Sequence, residues 1–491
     1  DRVPPTMPAV PATLSPWDWP TYGHDPQHTF HGQTTLTEST ARTLQEAWFF
    51  PTGDAVTATP TVVGGTVYVG SWDDYFYALN LETGKLRWKV RLASQNGITP
   101  YPGEPHRDTQ SDGGLVTSSA WFEPASASRP ALVIFGGGYT LYALDAADGA
   151  VYWEHDYSGL PGPPDPDTDS TRIFSSPVVV DDRVIFGVDE DGQGGSAGYI
   201  GAASLDTGKP VWEFQTDVDA GGRVLDDSCG SVWSSGSVLP DLGLVVFGSA
   251  DCNFAGTAPY ADSVIALHIA TGTLAWILHP LGAAPPCDFD FGASANVGVS
   301  SDGVTTFLGE GSKDGTYYSL NPSTGDVRWS TNVVFGGSSG GFIGTTAYDG
   351  QRVYGATGIG DFNPSPHGLQ LCDPSNPHDK AAQSPTDHVF DAATGSVVWQ
   401  VNAASSFAPT TVAGGMMFNG LALAKQVIQV RDAATGRLVV QVSLPQANWS
   451  GIATVGDALV LGLGSDFDAK SSGVEVLTPH GGAPIVPVSR S

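Results

Sequence analysis

Short runs in which apolar positions dominate or alternate, bounded by Gly or Asp, recur along this chain. Tyr75-Phe-Tyr-Ala-Leu79, Pro60-Thr-Val-Val, Thr66-Val-Tyr-Val-Gly70, Pro177-Val-Val-Val and Val184-Ile-Phe-Gly187 have the length and spacing of β-strands joined by tight turns. One phrase punctuates them seven times, a Thr-Gly or Asp-Gly pair ending at Gly84, Gly149, Gly208, Gly272, Gly325, Gly395 and Gly436. In six of the seven copies a tryptophan follows four residues later (Trp88, Trp153, Trp212, Trp276, Trp329, Trp399), and the last copy has Val440 instead. The mean spacing is about 59 residues, the period of a long-bladed propeller rather than of a short solenoid repeat.

Each phrase predicts a hairpin with an anchor. A strand ends at Asn or Asp, Gly supplies the positive φ of the turn, and the next strand sets an indole between neighbouring sheets. With two further strands upstream, every unit has four strands, and four-stranded units repeated radially form a propeller. After the seventh phrase, Gly451–Thr454, Ala458–Gly462 and Val474–Leu477 supply three strands but no closing one. Residues 44–50, with Trp48, have the character of that missing strand. The expectation is therefore an all-β, eight-bladed propeller of antiparallel four-stranded blades with Trp-docking repeats, one blade shared by the two ends of the chain so that few sheet edges stay exposed. An open solenoid is the alternative. One domain spans residues 1–491, with residues 1–43 as a leader and extension, since no linker-like shift in composition interrupts the repeats.

Charge narrows the partners. With 21 Lys+Arg against 51 Asp+Glu, nucleic acid and anionic membranes are disfavoured, and no apolar run reaches membrane-spanning length. Asp1 followed by a Pro-rich stretch reads as a mature, secreted or periplasmic protein. Cys229, Cys252, Cys287 and Cys372 form no CxxC or CxxCH motif, which disfavours a zinc ribbon or covalent haem. One or two disulfides fit an oxidising compartment, with the pairing open.

The Trp-anchored repeat, the opening Trp19-Pro20-Thr-Tyr22-Gly23-His-Asp25 and the eight-blade count together resemble the pyrroloquinoline quinone (PQQ) dependent alcohol dehydrogenases over nearly the whole chain. A flat tricarboxylate ortho-quinone needs an aromatic floor, hydrogen-bond donors for its oxygens and a hard cation with oxygen ligands. In the family these meet at one mouth of the central channel.

The resemblance assigns candidates blade by blade. In blade four, Gly230-Ser231-Val-Trp233-Ser resembles the segment whose indole lies beneath the quinone, with Ser231 on a carboxylate; Trp233 follows no Thr-Gly turn, unlike the anchors. Asp251 stands where the family has a metal-ligating Asn. In blade five, Asp288-Phe-Asp290-Phe-Gly292 resembles the segment of the catalytic aspartate, a role assigned to Asp290 with Asp288 second, and Asp290 is also a candidate metal ligand. Lys313 matches the cation that reaches the quinone and the catalytic carboxylate. The family's metal-ligating Glu in blade three has no clear counterpart, and Glu190 or Asp191 of an acidic, Gly-rich loop takes its place. Arg107 and Asp112 are candidates in blade two, and Trp449 in blade eight resembles an aromatic residue closing the pocket. The vicinal cysteine pair of many members is absent.

These assignments imply an exported dehydrogenase that oxidises an alcohol, secondary or polymeric, to a carbonyl with PQQ and a divalent metal. Gly292, where lanthanide-using relatives carry a carboxylate, points to Ca2+ over a lanthanide. The electron acceptor would be external, such as a separate cytochrome c. The Asp-Phe-Asp-Phe-Gly segment is similar to that of the polyvinyl-alcohol-dehydrogenase-like branch. Two rivals remain at this level: a non-catalytic binding or outer-membrane assembly propeller, and a metal-dependent lyase or hydrolase without quinone.

Overall fold

A computed structural model describes residues 13–92, 116–157, 171–190, 198–224, 229–252, 258–280, 288–334, 336–337, 340–358, 384–421, 426–465 and 468–487. Eight antiparallel sheets are arranged as the repeat demands, and one four-residue α-helix, Glu38–Ala41, is the sole helix among these residues. The innermost strands, from blade one to blade eight, are Thr61–Val63, Trp121–Glu123, Val178–Val180, Ser237–Leu239, Asn296–Val299, Ala347–Tyr348, Thr411–Ala413 and Ala453–Val455. Blade eight closes as expected: Leu44–Pro51 pairs antiparallel with Asp468–Pro479, with Leu44 opposite Pro479 and Pro51 opposite Gly473. Blade three carries a short extra strand, Thr171–Arg172, on the end of its second strand, Arg183–Glu190.

Two interlocking hydrogen-bond systems hold the blades in a ring. On the outside, the anchor indoles donate to a carbonyl of the next blade: Trp48 Nε1 to Leu81 O at 2.8 Å, Trp153 to Leu205 at 2.8 Å, Trp212 to Ile269 at 2.9 Å and Trp399 to Ala433 at 3.0 Å. Each ring lies flat against the turn glycine. At Gly208, whose φ is +67°, a Cβ would sit 2.4 Å from Trp153, so glycine is demanded by both the backbone and the indole. Trp48 adds a seventh anchor that precedes the first Thr-Gly phrase.

On the inside, a collar of hydroxyls runs round the axis. The amide of Thr59 donates to Ser119 Oγ, Ser119 to Ser176, Ser176 to Ser235, Ser235 to Ser294 and Ser294 to Thr345, all at 2.8–2.9 Å. Gly451 of blade eight donates back to Thr59 Oγ1 at 3.0 Å. In blade seven the matching position is Pro409, which has no amide to give.

The junction of blades seven and eight lacks an indole because Val440 replaces it. There the N-terminal extension supplies the mortar: Arg42 donates to Val439 O at 2.6 Å, Arg437 grips Glu38 at 2.6 Å, and Leu36 and Ala41 join the core beside Val439. Upstream, residues 19–32 plug one end of the channel. Their backbone bonds inner-strand residues of six blades, namely Val62, Phe122, Val238, Val297, Tyr348 and Val412. Tyr22 reaches the collar from below, 2.8 Å from Thr345 Oγ1. From Trp19 onwards, the stretch expected as leader and extension is bonded to the inner strands of the ring.

Candidate functional site

The plug leaves the opposite mouth as the face where the innermost strands begin. Two residues before each collar position stand Thr57, Thr117, Phe174, Trp233, Gly292, Ile343, Phe407 and Trp449. All except Gly292 are half-buried among largely buried neighbours. Trp449 and Trp233 hold the same position on opposite blades, and Trp449 packs edge-to-face on Phe407 at 5.2 Å. The rim is therefore largely aromatic and apolar.

Blades four and five place their charged groups beside this rim. Trp233 Nε1 donates to Asp290 Oδ2 at 3.0 Å, and its ring lies against Gly292, where a Cβ would come within 1.7 Å of the indole. Lys313 Nζ bonds Asp290 Oδ2 at 2.8 Å and both oxygens of Asp288 at 2.9 and 3.1 Å, and sits 5.3 Å from the Trp233 ring. The Asp251 amide donates to Asp290 Oδ1 at 3.0 Å. Blade geometry makes these contacts natural, because Lys313 N bonds Asp290 O just as Ala250 N bonds Ser231 O in the preceding blade. The Cys229–Cys252 disulfide fastens the segment leading to Trp233 to the residue after Asp251. Cys287 and Cys372 lie outside the described residues.

Electrostatics separate the two aspartates. Burial opposes ionisation of Asp290, but the Lys313 ammonium and the hydrogen bonds it receives hold it below the usual carboxylate range. Asp288 is pushed well above that range by burial and by Asp290, with Lys313 working against the rise. Burial depresses the Lys313 ammonium, and the two carboxylates more than compensate, so its pKa lies above normal.

One oxygen each from Asp251, Asp288 and Asp290 lie within 4.8 Å of one another, an all-oxygen set of the kind hard divalent cations take. Three donors leave Asp290 at least one free lone-pair site. A fourth acid, Asp262, is nine-tenths buried beside them. Burial, then Asp290 and Asp251, push it up to about 8, and its Oδ1 has no hydrogen-bond partner. An excess of buried carboxylate over the single ammonium, with an orphaned oxygen, fits a bound cation. The half-exposed Trp233 face beside Lys313 fits a flat anionic ring system.

Other candidates fall differently. Ser231 donates to Asp189, a buried residue of blade three that sequence reasoning passed over. Glu190 ends the second strand of blade three, but its side chain lies outside the description, as do Asp191, Arg107 and Asp112. Glu310, three residues before Lys313, was also missed. It is fully buried against Gly248 with neither oxygen hydrogen-bonded, and burial drives its pKa well above normal.

An eight-bladed, tryptophan-docked ring with an oxygen-rich, indole-floored mouth is the architecture of a quinoprotein propeller. The chain belongs to the family described as "PQQ: Glucose/ethanol/alcohol dehydrogenase, beta-propeller domain", which it matches over residues 19–335. It is 24% identical over 370 residues to a polyvinylalcohol dehydrogenase of a Pseudomonas species, covering 68% of this chain and 53% of that protein. It is 23% identical over 311 residues to a quinohemoprotein alcohol dehydrogenase of Pseudomonas putida, covering 57% of this chain and 40% of that one. The chain thus spans about half the length of the curated relatives it matches. The solved structure of the quinohemoprotein alcohol dehydrogenase from Pseudomonas putida HK5 superposes with a TM-score of 0.74 at 17% identity, covering 99% of this chain and 85% of that one, a likeness of fold.

Proposed function

We propose that this protein is a PQQ-dependent dehydrogenase oxidising an alcohol to a carbonyl at the mouth formed by blades four and five. The observation that carries the reading is the convergence of Trp233, Asp251, Asp288, Asp290 and Lys313 within direct hydrogen-bonding or ligating distance. Trp233 and Lys313 would hold the quinone, while Asp251 and Asp290 would hold Ca2+. Bound there, the pair supplies a hydride acceptor and a Lewis acid.

The chain's own residues do the rest. Asp290 is held by Trp233, Lys313 and the Asp251 amide with one lone-pair site left for the cation, and its side chain is only 4% exposed, which suits an anchor. Asp288 has a side chain 27% exposed and shares Lys313, which suits the carboxylate that takes the hydroxyl proton. The sequence reading ranked them the other way. Lys313 would steady negative charge on the acceptor oxygens. Phe174, Ile343, Phe407 and Trp449 give the mouth an apolar wall, which supports a bulky secondary or polymeric alcohol rather than a small hydrophilic one. Electrons would leave to an external acceptor such as a cytochrome c, and the polyvinylalcohol dehydrogenase relative supports a polymeric substrate.

The test is reconstitution with PQQ and CaCl2, followed by desalting. Retained quinone absorbance with alcohol-dependent dye reduction is expected. Absence of retained quinone would overturn the reading in favour of a cofactor-free propeller, and retention without turnover would favour a binding role.

A further inference from the structure

Asp262 occupies a position where the backbone prefers glycine. The turn before the third strand of a blade closes with an amide-to-carbonyl bond, Ser71 to Tyr75 in blade one, Ser249 to Ser263 in blade four and Ser312 to Thr316 in blade five. The residue just before the acceptor is Asp74, Asp262 or Gly315, and its φ is +66°, +47° or +84°. A left-handed conformation is free of steric cost only for glycine, which blade five uses.

Blade four places there a carboxylate that is 4% exposed and has an unpartnered Oδ1. Its position is fixed from both sides of the candidate site. Its own amide bonds Ala250 O at 2.9 Å, next to Asp251, and the Phe289 amide, between Asp288 and Asp290, lies near enough to favour its ionised form. Asp262 lies outside the set of three whose oxygens approach within 4.8 Å of one another. Together the four acids face one ammonium, Lys313, among the described residues.

We propose that Asp262 is the outer carboxylate of a divalent-cation site whose direct ligands include Asp251 and Asp290, its free oxygen accepting a hydrogen bond from water on the cation. The inference rests on the cation reading above and extends it to a residue off the family's pattern. A turn residue held left-handed with a buried, orphaned carboxyl oxygen opposes folding of the metal-free protein, and water on a cation would give that oxygen a partner. Asp262 is a positioning residue, acting on the substrate only through the ion.

The experiment is calcium titration of the chelator-treated full chain by calorimetry, repeated with Tb3+ luminescence excited through the indoles, alongside thermal unfolding with and without CaCl2. Asp262→Asn keeps the shape and removes the charge, and is expected to weaken calcium binding about 10- to 100-fold. Asp262→Gly is expected to weaken it similarly while raising the Tm of the metal-free protein, since the turn relaxes. Wild-type affinity in both variants overturns the inference and leaves the cation reading standing. A lowered metal-free Tm in Asp262→Gly assigns the residue to folding and also overturns it. No calcium binding by the wild-type chain overturns both.

Discussion

Gly292 and Trp233 show how narrowly the site is set at the level of single atoms. The indole lies where a side chain on residue 292 would have to be, so Gly292→Ala must displace the ring that also anchors Asp290. The expected outcome is a folded protein with an unchanged far-ultraviolet spectrum that no longer retains PQQ on desalting. Asp288→Asn tests a different atom. It should lower kcat by about 10²- to 10⁴-fold with quinone retention intact, measured by dye reduction on the reconstituted enzyme. Trp233, Asp288, Asp290 and Lys313 were picked out in the sequence by the family resemblance, helped at Trp233 by an indole with no Thr-Gly turn before it. Asp262 and Asp189 were not, since an Asp beside a strand, or at its acidic end, reads as ordinary turn chemistry. Glu310 was hidden because burial between blades is a tertiary fact that a polar letter in a strand does not disclose.

At the level of elements, the turn glycines permit a controlled comparison. Gly208 and Gly415 have nearly the same φ, +67° and +75°, but a Cβ on the first meets Trp153 at 2.4 Å and a Cβ on the second meets nothing within 4 Å. Both alanine variants incur the left-handed backbone penalty, about 1–2 kcal/mol, and only Gly208→Ala adds overpacking of about 1–3 kcal/mol. Chemical denaturation should rank them in that order, and equal losses would show that the indole yields freely. The same logic explains what the repeat revealed and withheld. Trp spacing exposes the docks and Val440 the missing one, but nothing in the pattern says that Glu38–Ala41 and Arg42 reinforce that junction, because the contact spans almost 400 residues of chain.

For the whole molecule, the plug ties stability to acidity. His28 lies in it, 1% exposed, its Nδ1 2.9 Å from Ser237 Oγ and its ring edge-on to Tyr22, and burial pushes its pKa down to about 4. Between the unfolded value of about 6.5 and that folded value the unfolded chain binds the extra proton. This contribution is complete above about pH 6.5 and is lost as pH falls towards 4, amounting to about 3 kcal/mol. Urea unfolding across that range should show wild-type stability declining more steeply than that of His28→Gln; parallel curves would place the acid response elsewhere. The single disulfide among the described residues carries a last consequence. It joins the chain segments bearing Trp233 and Asp251, so cleaving it would loosen the proposed hold on cofactor and ion. Dithiothreitol, removed before PQQ and CaCl2 are added, should then lower cofactor retention as a chelator does, and the redox state of the surroundings would decide whether the catalyst is assembled at all.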